Sequence, residues 1–308
     1  METYYNGESV TLKLDGKMPD DDGYRIDGTT ITARRDVGLL YGAYALLRRQ
    51  QTSDFNHQPS AVDESHPTYS LRLLNHWDNP NGTVERGFAG RSIFWNEKGE
   101  MRNEKWDAAH EELIRTYARA NASIGINGTV LNNVNAKPEA LTTESLQKAK
   151  AIADQLRPYG IKVYLSINFA SPIKVGGLKT ADPLNSDVIR WWKNKVNEIY
   201  KMIPDFGGFL VKANSEGEPG PQDFGRTHAD GANMLGKVLK PHKGIVMWRA
   251  FVYAPQSPDR ANQACLEFMP LDGFPASGSF PMSQFFTSSG QSIRVSASAS
   301  VLPMYIQD

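Results

Sequence analysis

Between residues 70 and about 273, the chain repeats short apolar runs, polar loops and longer stretches with apolar residues three or four positions apart. The apolar runs predict strands at 70–75, 128–133, 161–169, 207–213 and 244–253. The longer stretches predict helices at about 107–122, 143–157, 187–202, 229–239 and 257–268. Such alternation is typical of right-handed βαβ units, so the sequence predicts an α/β fold built on a parallel sheet.

The first 51 residues follow a different pattern. Alternation in VTLKLDG and GYRIDGTTITA predicts strands, and Asp27 with Gly28 suits a tight hairpin turn between two of them. An apolar helix is predicted next, in VGLLYGAYALLRRQ. Residues 52–69 are polar and carry two prolines, which indicates a linker.

The repeat provides about five βα units, whereas a closed (β/α)8 barrel of the TIM type needs eight. After Gly273 the repeat stops. Residues 274–308 contain nine serines, and their charged residues are Arg294 and Asp308. This composition predicts a poorly ordered tail or unpaired strand, not three further βα units.

Composition narrows the classes of function. The 34 basic residues balance the 34 acidic ones, so no net field favours nucleic acid or an anionic membrane, and we expect neither as a partner. Cys265 is the only cysteine, which excludes an internal disulfide and a cysteine-based zinc site. No segment has the length of a membrane span, and METYYNGESV does not resemble a signal peptide, so we expect a cytoplasmic protein.

Polar residues collect where the predicted strands end. They are Asn75, His76, Trp77 and Asp78 after the first strand, Asn132, Asn133 and Asn135 after the second, Asn168 at the third, Lys212, Asn214 and Glu216 at the fourth, and Arg249 on the fifth. The carboxyl ends of parallel strands are where α/β proteins build their sites. The sequence therefore predicts one site at this end of the sheet.

The residue types indicate an acidic sugar as ligand. Lys212 and Arg249 are cations that could converge on a carboxylate or phosphate, and Trp77 offers a flat apolar face. The asparagines suit sugar hydroxyls. Glu216 is a carboxylic acid that burial could keep protonated near neutral pH, as a general acid requires.

Each of these residues also has a structural interpretation. Lys212 and Glu216 could form a salt bridge in a loop, Trp77 could be a core aromatic, and Arg249 could pair with Asp78 or Glu216. Three others, His76, His228 and Asp230, are better interpreted as groups that brace loops. The six histidines have no metal-ligand spacing, and no phosphate-binding glycine motif follows a strand, so we expect no metal and no cofactor.

Four long blocks carry a family resemblance. They are LRLLNHWDNPNGTVERGFAGRSIFW (71–95), YARANASIGINGTVLNNVNA (117–136), VKANSEGEPGPQDFGRTHADGANML (211–235) and GIVMWRAFVY (244–253). These blocks resemble the family 67 glycoside hydrolases, the α-glucuronidases of xylan breakdown, and the resemblance covers roughly residues 23–273. It implies a partial (β/α)8 barrel of about five βα units in residues 70–273, preceded in residues 1–51 by the remnant of a small α/β domain.

The resemblance also implies a reaction and its residues. The expected reaction is hydrolysis, with inversion, of the α-1,2 bond between glucuronic or 4-O-methylglucuronic acid and xylose in xylo-oligosaccharides. Glu216 matches the family's general acid, and Lys212 and Arg249 match the cations around the uronate. Trp77 and Val134 match residues of the sugar pocket, and we add Asn133 and Asp78 as predicted substrate-binding residues.

The sequence departs from the family in its last part. The resemblance implies water-activating carboxylates on later barrel strands and a C-terminal helical dimer region, and no residue after Gly273 matches either. Two hypotheses follow: a working α-glucuronidase with an unidentified base, or an inactive fragment that binds acidic sugars at most. An unrelated barrel that binds phosphate is a third reading, which requires the four blocks to be coincidental.

Overall fold

The computed structural model describes residues 4–5, 8–51, 62–95, 108–214, 217–249, 282–286, 292–296 and 305–306. The strands are β1 (Tyr4–Tyr5), β2 (Glu8–Ser9), β3 (Thr11–Leu14), β4 (Tyr24–Asp27), β5 (Thr30–Ala33), β6 (Asp63–Ser65), β7 (Leu73–Asn75), β8 (Gly128–Val130), β9 (Lys162–Ile167), β10 (Gly208–Lys212), β11 (Ile245–Arg249), β12 (Met282–Phe286), β13 (Ser292–Ser296) and β14 (Tyr305–Ile306). The α-helices are α1 (Asp36–Gln51), α2 (Ala108–Ser123), α3 (Thr143–Leu156), α4 (Ser171–Lys174), α5 (Ser186–Met202) and α6 (His228–Leu239). Short 3-10 helices lie at Pro138–Leu141, Arg157–Tyr159, Pro221–Phe224 and Lys240–His242.

The predicted elements of the βα region agree closely with the observed ones. Helices α2, α3, α5 and α6 begin and end within one residue of their predicted bounds, and β9, β10 and β11 begin within one residue of theirs. Strands β8, β9 and β10 end one to three residues earlier than predicted, and β7 begins later than predicted, at Leu73. Residues 250–253 of the fifth predicted strand lie outside the described residues. The helix predicted at 257–268 lies outside the described residues.

The chain divides into two compact units, of which the first comprises Met1–Leu74, Ala108–Gly128 and Gln155–Ile161. Its sheet has the strand order β3-β5-β4-β6, with β4 antiparallel to β5 and to β6. Gly28 has a φ of 56° in the turn between β4 and β5, where a left-handed residue is needed, as the sequence predicted. Residues 63–65, which the sequence placed in a linker, are strand β6. Pairing with a strand nearly forty residues away is not visible in local sequence.

Helix α1 packs closely on this sheet. Ile26 and Ile31 from the strands and Ala45 and Leu46 from the helix form a buried apolar cluster. A Cβ on Gly42 of α1 would lie 2.5 Å from Ile31 Cγ2, so a larger residue at position 42 would push the helix away from the sheet. The close contact buries enough apolar surface to give the small unit a core of its own.

His66, directly after β6, joins two carboxylates in this unit. Its Nδ1 lies 2.9 Å from Asp21 Oδ2, and its Nε2 lies 2.8 Å from Glu64 Oε1. The hydrogen bond with Glu64, and that with Asp21, raise the pKa of the His66 imidazole. The protonated ring can donate to both carboxylates, whereas the neutral ring can donate to one.

We expect this pair of contacts to make stability depend on pH. Because the pKa is raised on folding, the contribution is complete below the unfolded-state pKa of about 6.5 and is lost as pH rises through the folded value. The free energy of unfolding should therefore fall as pH rises above about 6.5 in the unaltered chain, and this fall should be smaller in His66→Gln. Urea unfolding at several pH values measures the difference.

His242→Gln is the matched control. The Nε2 of His242 lies 2.9 Å from the neutral Asn197 Oδ1 rather than from a carboxylate. An equal change of pH dependence in both variants would contradict the role given to His66.

The second unit comprises Asn75–Asp107, Thr129–Asp154 and Lys162–Asp308. It contains β9, β10 and β11 and the carboxyl ends of β7 and β8, in a five-stranded sheet of order β11-β10-β9-β8-β7. Strand β10 is parallel to both β9 and β11. Strands that are neighbours in the sheet are also consecutive in the chain, which agrees with the predicted α/β fold.

Residues along β10 and β11 alternate between two faces. Phe209 of β10 contacts Trp192 of α5, with ring centroids 5.9 Å apart, and Trp248 of β11 donates to His228 of α6. These side chains form the layer between sheet and helices. Lys212 is three positions from Phe209 and Arg249 is one position from Trp248, both odd separations, so the two cations lie on the other face of the sheet.

The described parts of the tail differ from the sequence prediction. Strands β12, β13 and β14 pair with one another in an antiparallel sheet, so these segments are paired strands, where poorly ordered or unpaired chain was expected. As the composition predicted, these segments are not βα units.

Within the described ranges, no helix has both the length and the apolar character needed to cross a membrane.

Candidate active site

Two cations lie side by side at the carboxyl ends of β10 and β11. Lys212 and Arg249 are register partners in the parallel pairing, and each is the last residue of its strand. Their exposed fractions are 2% and 5%, so both charges are buried. Two buried like charges at adjacent positions repel each other, and this arrangement favours an anion between them.

Trp77 lies against the second cation. The Arg249 guanidinium carbon is 5.5 Å from the centroid of the Trp77 ring, within the range of a cation–π contact. Trp77 follows β7 and is half-buried. The structure thus brings together three predicted site residues that are far apart in the sequence.

Two asparagines connect the Lys212 side of the site to the Trp77 side. Lys212 Nζ donates to Asn135 Oδ1 at 2.6 Å, and the main-chain N–H of Asn135 donates to Asn133 Oδ1 at 2.9 Å. Asn133 Nδ2 lies 3.4 Å from the Trp77 carbonyl oxygen and 3.3 Å from that of Glu85. Asn133 is 4% exposed, and its amide group is engaged by main-chain groups.

Asp78, the residue after Trp77, belongs to a small polar cluster with Ser92 and His76. The Ser92 hydroxyl donates to Asp78 Oδ1, and His76 Nδ1 is 3.6 Å from Asp78 Oδ2. The Ser92 oxygen also accepts from the amide N–H groups of Phe94 and Trp95, which caps the turn at residues 92–95. The carboxylate therefore braces the chain on either side of Trp77.

Burial dominates the ionisation of this cluster. It raises the pKa of the Asp78 carboxyl above its usual range, although Ser92 and His76 act in the opposite direction. It lowers the pKa of the His76 imidazole, against the attraction of Asp78. The imidazole is consequently neutral near pH 7.

The loop after β10 contains the predicted acid in its sequence. Hydrogen bonds involve loop residues before and after that acid, Asn214 and Glu218. Asn214, with a φ of 51°, accepts the Gln222 amide N–H on its Oδ1 at 3.0 Å. Asn168 Nδ2 donates to Glu218 Oε2 at 3.1 Å, which ties the loop to the end of β9. Ser215 and Glu216 lie outside the described residues, so the position of the predicted general acid stays a prediction.

Several other predicted residues are buried or hydrogen-bonded to neighbouring groups. Asn132 pairs with the main chain of Ser166, Val134 is 1% exposed, and His228 accepts from Trp248. Asp230, the third residue of α6, accepts the main-chain N–H of the N-cap residue Thr227 and completes a capping box. This geometry agrees with the bracing roles expected of His228 and Asp230. The predicted sugar contacts of Asn133, Asp78 and Val134 stay predictions.

Sequence reasoning assigned no role to Ser92 or Glu85. Glu85 has a φ of 56°, its amide N–H donates to the Trp77 carbonyl at 2.8 Å, and its carbonyl accepts from Asn79. Both residues lie in the block 71–95, and the length of that block was the signal in the sequence that could have indicated a role for them.

Among the residues described, no group of three or more histidine, cysteine, aspartate or glutamate side chains could hold a metal ion.

The fold and the site define an α/β protein with buried cations and an aromatic ring at the carboxyl ends of parallel strands. A solved structure supports the fold: the GH20 beta-N-acetylhexosaminidase from Streptomyces coelicolor A3(2) has a TM-score of 0.50 at 14% identity, covering 84% of this chain and 60% of that one. Similarity at this identity concerns the fold alone.

Sequence comparison establishes the family. The model of the glycosyl hydrolase family 67 middle domain matches residues 51–279, and the chain belongs to this family. It is 45% identical over 249 residues to the probable alpha-glucuronidase A of Neosartorya fischeri, covering 79% of this chain and 28% of that protein. It is 42% identical over 291 residues to the alpha-glucuronidase of Hypocrea jecorina, covering 89% and 33%. The chain thus spans about a third of the length of these relatives.

Proposed function

We propose that the chain carries the uronate-binding part of an α-glucuronidase site. The substrates would be xylo-oligosaccharides with glucuronic or 4-O-methylglucuronic acid in α-1,2 linkage, cleaved with inversion. The observation that carries this proposal is the pair of buried cations, Lys212 and Arg249, at one register with the Trp77 ring against the guanidinium. A carboxylate between the cations would offset their repulsion, and the sugar ring would stack near Trp77.

In this proposal Glu216 is the general acid. It lies four residues after Lys212 in a loop whose two sides are held by the Asn214–Gln222 and Asn168–Glu218 hydrogen bonds. An acid in this loop would protonate the glycosidic oxygen while Lys212 holds the uronate. The five strands of this sheet would form part of a TIM-type barrel, whose carboxyl-end loops build such sites.

The second candidate is a fragment that binds acidic sugars without hydrolysing them. An inverting glycosidase needs a second carboxylate about 6.5 to 9.5 Å from the acid, on the opposite face of the sugar. No residue after Gly273 matches the family's base, and the chain spans 28% to 33% of the length of its relatives.

Binding and turnover separate the candidates. Isothermal titration with glucuronate and with glucose tests the cation pair, and release of glucuronic acid from aldobiouronic and aldotriouronic acids tests hydrolysis. Glucuronate binding with turnover supports the enzyme, and binding without turnover supports the fragment. A chain that binds neither glucuronate nor the oligosaccharides but is stabilised by a sugar phosphate would overturn both.

Arg249→Ala should weaken glucuronate binding by about 10- to 100-fold, because two charge-assisted hydrogen bonds to a buried carboxylate are lost. Arg249→Lys keeps the charge but loses the planar fork, and we expect an intermediate loss. The same titrations measure both. Unchanged glucuronate affinity in folded Arg249→Ala would remove Arg249 from the proposed site.

A further inference from the structure

We infer that Asn133 and Asn135 are positioning residues that form an amide relay between Lys212 and the main chain of Trp77. The relay consists of Lys212 Nζ, the Asn135 side chain and amide N–H, the Asn133 side chain, and the Trp77 and Glu85 carbonyls. The inference deepens the proposed uronate site and rests on it for its function. It assigns to these asparagines a task other than contact with sugar.

The orientation of the Asn133 amide is determined by its partners. Nδ2 faces two carbonyl oxygens, and Oδ1 faces the Asn135 N–H. A flipped amide would place oxygen against oxygen and nitrogen against nitrogen, so one orientation is favoured. Asn133 Nδ2 thus has two main-chain carbonyls within hydrogen-bond distance, and a sugar hydroxyl would compete with them for its N–H groups.

Asn133 also holds the turn that carries the aromatic ring. Its main-chain N–H donates to the Asp78 carbonyl at 2.6 Å, and the Trp77 carbonyl accepts from the Glu85 N–H as well. Residues 77–85 therefore form a closed turn that is attached through Asn133 to the end of β8. The left-handed Glu85 conformation, costly for a residue with a side chain, indicates that this geometry is imposed by its surroundings.

At the other end of the relay, Asn135 positions the ammonium group of Lys212. Asn135 Oδ1 accepts from Lys212, and the Asn135 main chain is itself fixed by Asn133 Oδ1. Linked hydrogen bonds polarise and orient one another, so a change at one end alters the other. Lys212 and the Trp77 ring are therefore positioned together, which would align the anion site and the stacking surface for one sugar.

The test uses the 308-residue chain labelled with 5-fluorotryptophan, and Trp77→Phe assigns the ¹⁹F resonance of Trp77. Lys212→Met removes the ammonium group, and we expect the Trp77 resonance to shift. In an Asn135→Ala background, the same Lys212→Met change should shift that resonance by less than half as much. An equal shift in both backgrounds would mean that the coupling does not pass through Asn135, and would overturn the relay.

Asn133→Asp tests the other junction, because it places an oxygen against the Trp77 and Glu85 carbonyls and keeps the acceptor for Asn135. We expect a displaced Trp77 resonance and a roughly tenfold loss of glucuronate affinity. Asn168→Asp is the matched control: this buried asparagine, at the end of the next strand, also donates to a carbonyl and to Glu218, outside the relay. A displacement as large in Asn168→Asp, or none in folded Asn133→Asp, would contradict the inference.

The two readouts distinguish this inference from the proposed function. Suppose that the unaltered chain fails to bind glucuronate, while the Asn135→Ala background reduces the shift of the Trp77 resonance caused by Lys212→Met. That result would support the relay and contradict the proposed uronate site. If Asn133→Asp does not fold, the Lys212 and Asn135 variants decide the question, since they leave the 77–85 turn unaltered.

Discussion

Glu216→Gln is expected to lower the release of glucuronic acid from aldobiouronic acid by about 10²- to 10⁴-fold relative to the unaltered chain. Glutamine cannot protonate the departing xylose oxygen, so the loss falls on the transition state. Affinity for the substrate should change little, because the binding proposed for Lys212 and Arg249 would be retained. Initial rates and isothermal titration measure the two quantities separately.

A substrate that needs no acid tests this assignment more sharply. 4-Nitrophenyl α-glucuronide loses a stable phenolate, so its hydrolysis by Glu216→Gln should fall far less than that of the aldobiouronic acid. Glu218→Gln is the matched control on the same loop, and we expect a loss of a few-fold at most, since its side chain bonds to Asn168. Equal losses on both substrates would indicate that Glu216 acts structurally and not as an acid.

Trp192→Ala is expected to lower the free energy of unfolding by about 3–5 kcal/mol. Trp192 is fully buried in α5, and its ring contacts Phe209 at 5.9 Å and Trp191 at 4.8 Å between centroids. Alanine would leave a cavity between α5 and β10, the element that ends at Lys212. Urea unfolding followed by circular dichroism measures the loss.

Trp192→Phe is the control for this core position. Within the part of the chain that the structure describes, Trp192 Nε1 is buried without a hydrogen-bond partner. Phenylalanine therefore loses no hydrogen bond and keeps most of the ring, so we expect a cost of less than about 1.5 kcal/mol. If both variants cost the same, packing of the ring is not what stabilises this layer.

The order and bounds of the helices in the βα region could be predicted because local patterns specify them. α5 was expected at 187–202 and spans Ser186–Met202, since apolar residues at helical spacing must face the sheet. β6 could not be predicted in the same way. Three polar residues, Asp63–Ser65, form a strand because β4 offers a free edge, and that edge exists in the folded unit alone.

The sequence shows which residue types collect at the site, but it does not show which neighbouring groups their polar atoms bond to. Asn133 and Asp78 were predicted as substrate-binding residues, Asn133 because amides suit sugar hydroxyls, and those sugar contacts stay predictions. In the fold, Asn133 bonds to carbonyls of the 77–85 turn, and Asp78 accepts from Ser92. Sequence spacing does not show which polar side chains the surrounding main chain will occupy.

The sequence by itself determined the α/β class, the family blocks and the presence of two cations, Lys212 and Arg249, at the ends of consecutive strands. These are consequences of local periodicity and residue type. Tertiary structure decided that the two are register partners, that Trp77 lies on the guanidinium, and that Asn135 bonds to Lys212 77 positions away. Such contacts depend on strand pairing and burial, which join distant segments and have no counterpart in local sequence.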